Sequence, residues 1–164
     1  MNEVPAILIV EDDQLIQTVV EEALTEGGFE IAIASSAKQA IELLDGAGGK
    51  YRALVTDINL GRDQVEGWEI ARHAREIDPE FPVVYMSGDS AEDWPSKGVP
   101  NSIMLSKPFA PAQLVTAISN YSTAVRLRPR RRNRGRAGME TAVTGQNGGR
   151  RHSFARLTVT WPWD

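Results

Sequence analysis

The sequence predicts an α/β fold, a doubly wound five-stranded parallel sheet with helices on both faces. Three observations carry that expectation. Five short apolar runs alternate with segments of helical periodicity, an order that asks for parallel strands joined by crossover helices. The run Ala6-Ile7-Leu8-Ile9-Val10 is apolar throughout, as suits a strand covered on both faces. The runs at 6–10, 53–57 and 83–86 also end at acidic or hydroxyl residues: Glu11-Asp12-Asp13, Asp57, and Ser87-Gly88-Asp89. A parallel sheet gathers such strand ends along one edge.

Taken in order, residues 1–5 are a lead-in to the first strand at 6–10. The segment 14–26 places Leu15, Val19 or Val20, Ala23 and Leu24 at helical spacing. Asp12 or Asp13 stands where it would cap that helix, and Gly27-Gly28 stops it. Residues 29–34 alternate, with Phe29, Ile31 and Ile33 on one side, the pattern of an edge strand. Ser35 or Ser36 caps a second helix whose apolar side is Ala37, Ala40, Ile41 and Leu44, and Gly46 and Gly48-Gly49 end it. The third strand, 53–56, delivers Asp57, and residues 59–67 make a loop. A third helix begins at Trp68 and finishes before Pro79. The fourth strand is 83–86, after which residues 91–94 have room for one helical turn before Pro95. The last strand, 102–106, leads into Lys107-Pro108, and Pro111 opens a final helix through about Tyr121 that presents Leu114, Val115 and Ile118.

At 164 residues the chain is long enough for one domain and short for two. It has no cysteine, so there is neither a disulfide frame nor thiolate chemistry, which fits a cytoplasmic setting. The run at 6–10 falls far short of the ~20 residues of a membrane span, and no basic flank precedes it as in a signal peptide. The net charge of −4 hides a division. Residues 126–164 hold ten arginines against Glu140 and Asp164, a net +8, which leaves −12 in the first 125. The reading is therefore a domain over 1–125 and a basic, disordered tail over 126–164, with a candidate short strand at 154–161. The basic run carries no interleaved aromatics for stacking on single strands and is read as a solvated tail rather than a nucleic-acid arm.

Carboxylates gathered at one sheet edge raise one another's pKa unless a cation sits among them, and hard oxygen ligands suit Mg²⁺. Asp12, Asp13 and Asp57, with the carbonyl of Asn59, are the candidate ligands. Lys107 offers a point charge and Ser87 a hydroxyl for the oxygens of a phosphoryl group transferred to a carboxylate nucleophile. Each residue alone has an ordinary reading as a cap, turn residue or surface charge. The joint placement at several strand ends is what points to phosphoryl transfer.

An acidic pair after the first strand, an aspartate after the third, a hydroxyl after the fourth and Lys-Pro after the fifth make residues 6–121 resemble the receiver domain of bacterial two-component response regulators. The resemblance implies a flavodoxin-like domain that takes a phosphoryl group from a histidine kinase or histidine phosphotransfer protein. It implies Asp57 as acceptor, Asp12, Asp13 and the Asn59 carbonyl as Mg²⁺ ligands, and Ser87 and Lys107 as phosphoryl contacts. It further implies slow autodephosphorylation, a phosphorylation-linked shift of the face formed by the fourth helix, fifth strand and fifth helix, and a monomer or weak dimer signalling through protein contacts.

Three features depart from the family pattern. Met104 stands where an aromatic switch residue is usual, with Tyr85 nearby as a partial substitute. Gly61 and Val65 stand where the family carries proline and glycine, and Gly67 arrives two residues late, so that a longer, more mobile loop is expected at 60–66. Pro95 shortens the fourth helix. The sequence leaves two other functions open: a phosphorylation-independent binding module of the same fold, and an aspartyl-nucleophile phosphatase.

Overall fold

The computed structural model describes residues 6–61 and 64–126, without the side chains of the last five. The lead-in at 1–5, residues 62–63 of the expected long loop, the basic tail and the candidate strand at 154–161 lie outside the described residues. The described elements run β1 (Ala6–Val10), α1 (Gln14–Glu26), β2 (Glu30–Ala34), α2 (Ala37–Gly46), β3 (Tyr51–Asp57), α3 (Gly67–Ile77), β4 (Val83–Ser87), α4 (Trp94–Lys97), β5 (Ile103–Ser106) and α5 (Pro111–Arg126). All strands pair in parallel in the order β2-β1-β3-β4-β5.

Alternation along the strands divides the core in two. Leu8, Val10, Leu54, Val83 and Tyr85 face α2 and α3, burying Ala40, Leu44, Trp68, Ile70 and Ala74. Ile7, Ile9, Val55, Val84 and Met86 face α1 and α5, burying Val20, Leu24, Leu114 and Ile118. Every residue of β1 is buried, as its continuous apolar run requires, whereas β2 sits at an edge and is only partly covered. Successive helices leave β1 and β3 toward opposite faces, so the crevice between those two strand ends is the switch point where this architecture places its ligands.

One local expectation is corrected. Leu15 and Val19 do not face the core: they are 79% and 47% exposed, while the covered stripe of α1 is Ile16, Val20, Ala23 and Leu24. One residue is a 100° turn of the helix, so a stripe chosen one position early points to solvent. The helical turn expected before Pro95 is present, and a fourth helix continues past the proline. A 3₁₀ turn over Ala91–Asp93 leads into α4, and Pro95 lies in the first turn of that helix, where a missing N–H breaks no bond.

Candidate functional site: an acidic cleft at the strand ends

The C-terminal ends of β1 and β3 bring three carboxylates together. Oxygens of Glu11, Asp12 and Asp57 all lie within 4.8 Å of one another, with Glu11 and Asp57 buried and Asp12 exposed. Lys107 reaches in from the end of β5, its Nζ 2.9 Å from Glu11 Oε2 and 3.2 Å from Asp57 Oδ2. A cis peptide joins Lys107 to Pro108, and the Lys107 N–H donates to the Ser87 carbonyl at 2.7 Å. Four of the five strands thus contribute to one cleft.

Asp13 is not part of the cluster, contrary to the expected Asp12 and Asp13 pair. Its carboxylate caps α1, accepting from the Leu15 N–H at 2.8 Å and the Ile16 N–H at 3.4 Å, and is committed there. Glu11 takes the place in the cluster that was expected of Asp13. As the first residue past a fully buried strand it stays inside, where its Oε1 accepts from the Asp13 N–H at 3.0 Å. The Gln17 side chain holds this corner from α1, donating to the Glu11 carbonyl at 2.6 Å. The run of three acids was visible in the sequence; which two face the cleft depends on where the helix cap falls.

Electrostatics here are unbalanced. Burial pushes the carboxyls of both Glu11 and Asp57 above the usual carboxylate range, against the opposing pull of Lys107. Burial draws the Lys107 ammonium down, but its hydrogen bond to Glu11 and the charges of Asp57 and Glu11 outweigh this and hold it above its ordinary value. Three carboxylates share one ammonium, a deficit of positive charge that a hard divalent cation corrects. The donor set, all oxygen and partly open to solvent through Asp12, fits Mg²⁺.

Ser87 is buried at the end of β4, and its Oγ accepts from the Ser90 N–H at 2.8 Å. Asn59 Nδ2 donates to Ser90 Oγ at 3.1 Å, linking the loop after β3 to the loop after β4. Gly67, the late glycine, lies directly against the end of β3: a Cβ there would stand 2.1 Å from the Asp57 carbonyl oxygen. Its N–H also donates to the Ile58 carbonyl at 2.9 Å. A glycine at 67 thus permits the close approach of α3 to Asp57.

The model of the response regulator receiver domain matches residues 7–119. The chain belongs to this family. The receiver is 32% identical over 120 residues to the response regulator receiver protein CpdR of Brucella abortus, a match covering 72% of this chain and 97% of CpdR. It is 28% identical over 115 residues to the sensor kinase CckA of the same organism, of which the match spans only 12% while covering 68% of the receiver. A solved response regulator receiver protein from Sinorhizobium medicae shares 44% identity with a TM-score of 0.71, covering 76% of this chain and 98% of that one. The acidic cleft is thus the Mg²⁺ and phosphoaspartate site type of phosphorelay receivers. Among the described residues no helix is long and apolar enough to cross a membrane.

Proposed function

We propose that Asp57 is the phosphoacceptor of this receiver, and that Glu11, Asp12 and Asp57, with the Asn59 carbonyl, hold Mg²⁺. The observation that carries the reading is the bridging of Glu11 and Asp57 by Lys107 beside the third carboxylate of Asp12. An Asp57 oxygen attacks the phosphorus of a phosphohistidine on a histidine kinase or phosphotransfer protein. The P–N bond breaks and its electron pair leaves with the imidazole, giving an acyl phosphate. When bound, Mg²⁺ neutralises charge as the phosphoryl group passes. Lys107 releases its contact with Asp57 and takes a phosphoryl oxygen instead. The bond from Ser90 occupies only a lone pair of the Ser87 hydroxyl, so the Ser87 proton remains available to a second phosphoryl oxygen. Water later cleaves the acyl phosphate slowly, and output passes through protein contacts in a cytoplasmic phosphorelay. Incubation with Mg²⁺ and a small acyl phosphate donor tests this. One phosphate should be taken up by the wild type, and none by Asp57→Asn or without metal; uptake by Asp57→Asn would place the acceptor elsewhere.

A further inference from the structure

Gly61, where the family usually carries proline, lies in the left-handed region with φ +37°, a value proline does not reach. Its open side faces the cleft: a Cβ at Gly61 would lie 2.5 Å from Asp12 Oδ2. The collision differs in kind from the one at Gly67, which is against backbone. At Gly61 the obstacle is the far end of a side chain that can rotate away. A side chain there consequently redirects the Asp12 carboxylate more than it disturbs the fold. Glu11 and Asp57 are each fixed by Lys107, whereas no hydrogen bond or ion pair to another described residue fixes the exposed Asp12 carboxylate. Gly61 is the described residue at which an added Cβ would crowd it.

We propose that Gly61 is a positioning residue for the divalent cation, its bare backbone passing beside Asp12 and leaving that carboxylate room to stay turned toward Glu11 and Asp57. This rests on the reading of those three acids as the Mg²⁺ site. Mg²⁺ demands near-ideal octahedral geometry at short distances, and Ca²⁺ tolerates irregular ligands, so a displaced Asp12 penalises Mg²⁺ more.

The test is calorimetric titration of the full chain with Mg²⁺ and with Ca²⁺, comparing wild type, Asp57→Asn, Gly61→Ala and Gly48→Ala. Gly48 also has positive φ, +56°, but nothing within 4 Å of a Cβ, so Gly48→Ala imposes backbone strain without the collision. Gly61→Ala should raise the Mg²⁺ Kd about 10-fold and the Ca²⁺ Kd less, with the metal-free melting temperature close to that of Gly48→Ala. Gly48→Ala should leave both Kd values unchanged. In an Asp12→Asn background, Gly61→Ala should add nothing. A wild-type Mg²⁺ Kd in Gly61→Ala, an equal loss in Gly48→Ala, or a full further loss in the Asp12→Asn background would overturn the role of Gly61 while leaving the metal site standing. Failure of the wild type to bind Mg²⁺, or binding unchanged by Asp57→Asn, would instead overturn the metal site itself, and with it the role of Gly61.

Discussion

The acidic cleft and the corner between α4 and β5 are built from opposite materials. In the cleft, Glu11, Asp12, Asp57 and Lys107 leave a surplus of partly desolvated negative charge that the fold alone does not balance. At the corner, neutral hydroxyl, indole and backbone groups satisfy one another, with one guanidinium on a carbonyl beside them. The buried Tyr85 hydroxyl accepts from the Val99 N–H at 3.1 Å, and Trp94 Nε1 donates to Ser102 Oγ at 2.9 Å. Ser102 Oγ in turn donates to the Val99 carbonyl at 2.6 Å, and Arg72 of α3 donates to the Lys97 carbonyl at the end of α4. The contrast teaches a division of labour. The cleft trades stability for a site whose charge changes, and the corner supplies stability that does not depend on that charge. Trp68 and Tyr85, whose rings lie 4.7 Å apart, connect the two, since Trp68 follows the glycine packed on Asp57.

The largest break in this contrast comes where the two regions meet. Gly67→Ala drives a Cβ into the Asp57 carbonyl, a backbone obstacle, and should destabilise the domain by about 3 kcal/mol in urea unfolding, with Mg²⁺ present or absent. Tyr85→Phe isolates the Val99 N–H at the corner and should cost about 1–3 kcal/mol. Phosphoryl uptake should nevertheless persist in the folded fraction, because the change leaves every group of the cleft in place. A loss of uptake in folded Tyr85→Phe would show that the regions are not separable.

Asp57→Asn should act in the other direction. The Asp57 pKa is raised in the folded state, mainly by burial, so the stability linked to its protonation is full below its unfolded pKa and lost as pH rises through the folded value. At neutral pH the ionised group is therefore a liability. The asparagine variant should be more stable than the metal-free wild type by about 0.5–2 kcal/mol, a gap that Mg²⁺ narrows by stabilising only the wild type. The smallest effect belongs to Tyr121, whose phenol donates to the Asn101 carbonyl and which burial pushes up to about 12 from an ordinary 10.0. With the folded pKa above the unfolded one, its contribution is full below the unfolded value and fades as pH climbs toward about 12. Tyr121→Phe should remove that alkaline phase from an absorbance titration and leave the neutral range unchanged.

Much of the cleft was legible because its residues sit where strand periodicity and chain order suffice. Asp57 ends a buried run, Lys107 precedes a proline, and the strands alternate with helices. The sequence could not resolve a one-residue phase at the β1 to α1 junction. Whether Asp13 ligates or caps follows from the helix start, and Glu11 becomes a cleft residue as soon as Asp13 is spent as the cap. Leu15 faces solvent for the same reason of phase. The corner was hidden for a different reason: its bonds join Tyr85 to Val99 and Trp94 to Ser102, pairings set by how α4 folds after Pro95 rather than by any local pattern. Gly67 showed itself as a late glycine, but its packing on the Asp57 carbonyl required the path of the lengthened loop.

The central claim is that the unbalanced cleft exists to receive a phosphoryl group on Asp57. Intact-mass measurement after incubation with Mg²⁺ and a small acyl phosphate donor tests it most directly, with Asp57→Asn and a metal-free sample alongside. The account predicts a single added phosphate on the wild type and none on either control. An unmodified wild type with that donor and with a panel of histidine kinases would contradict it, leaving a receiver that binds its partners without phosphorylation.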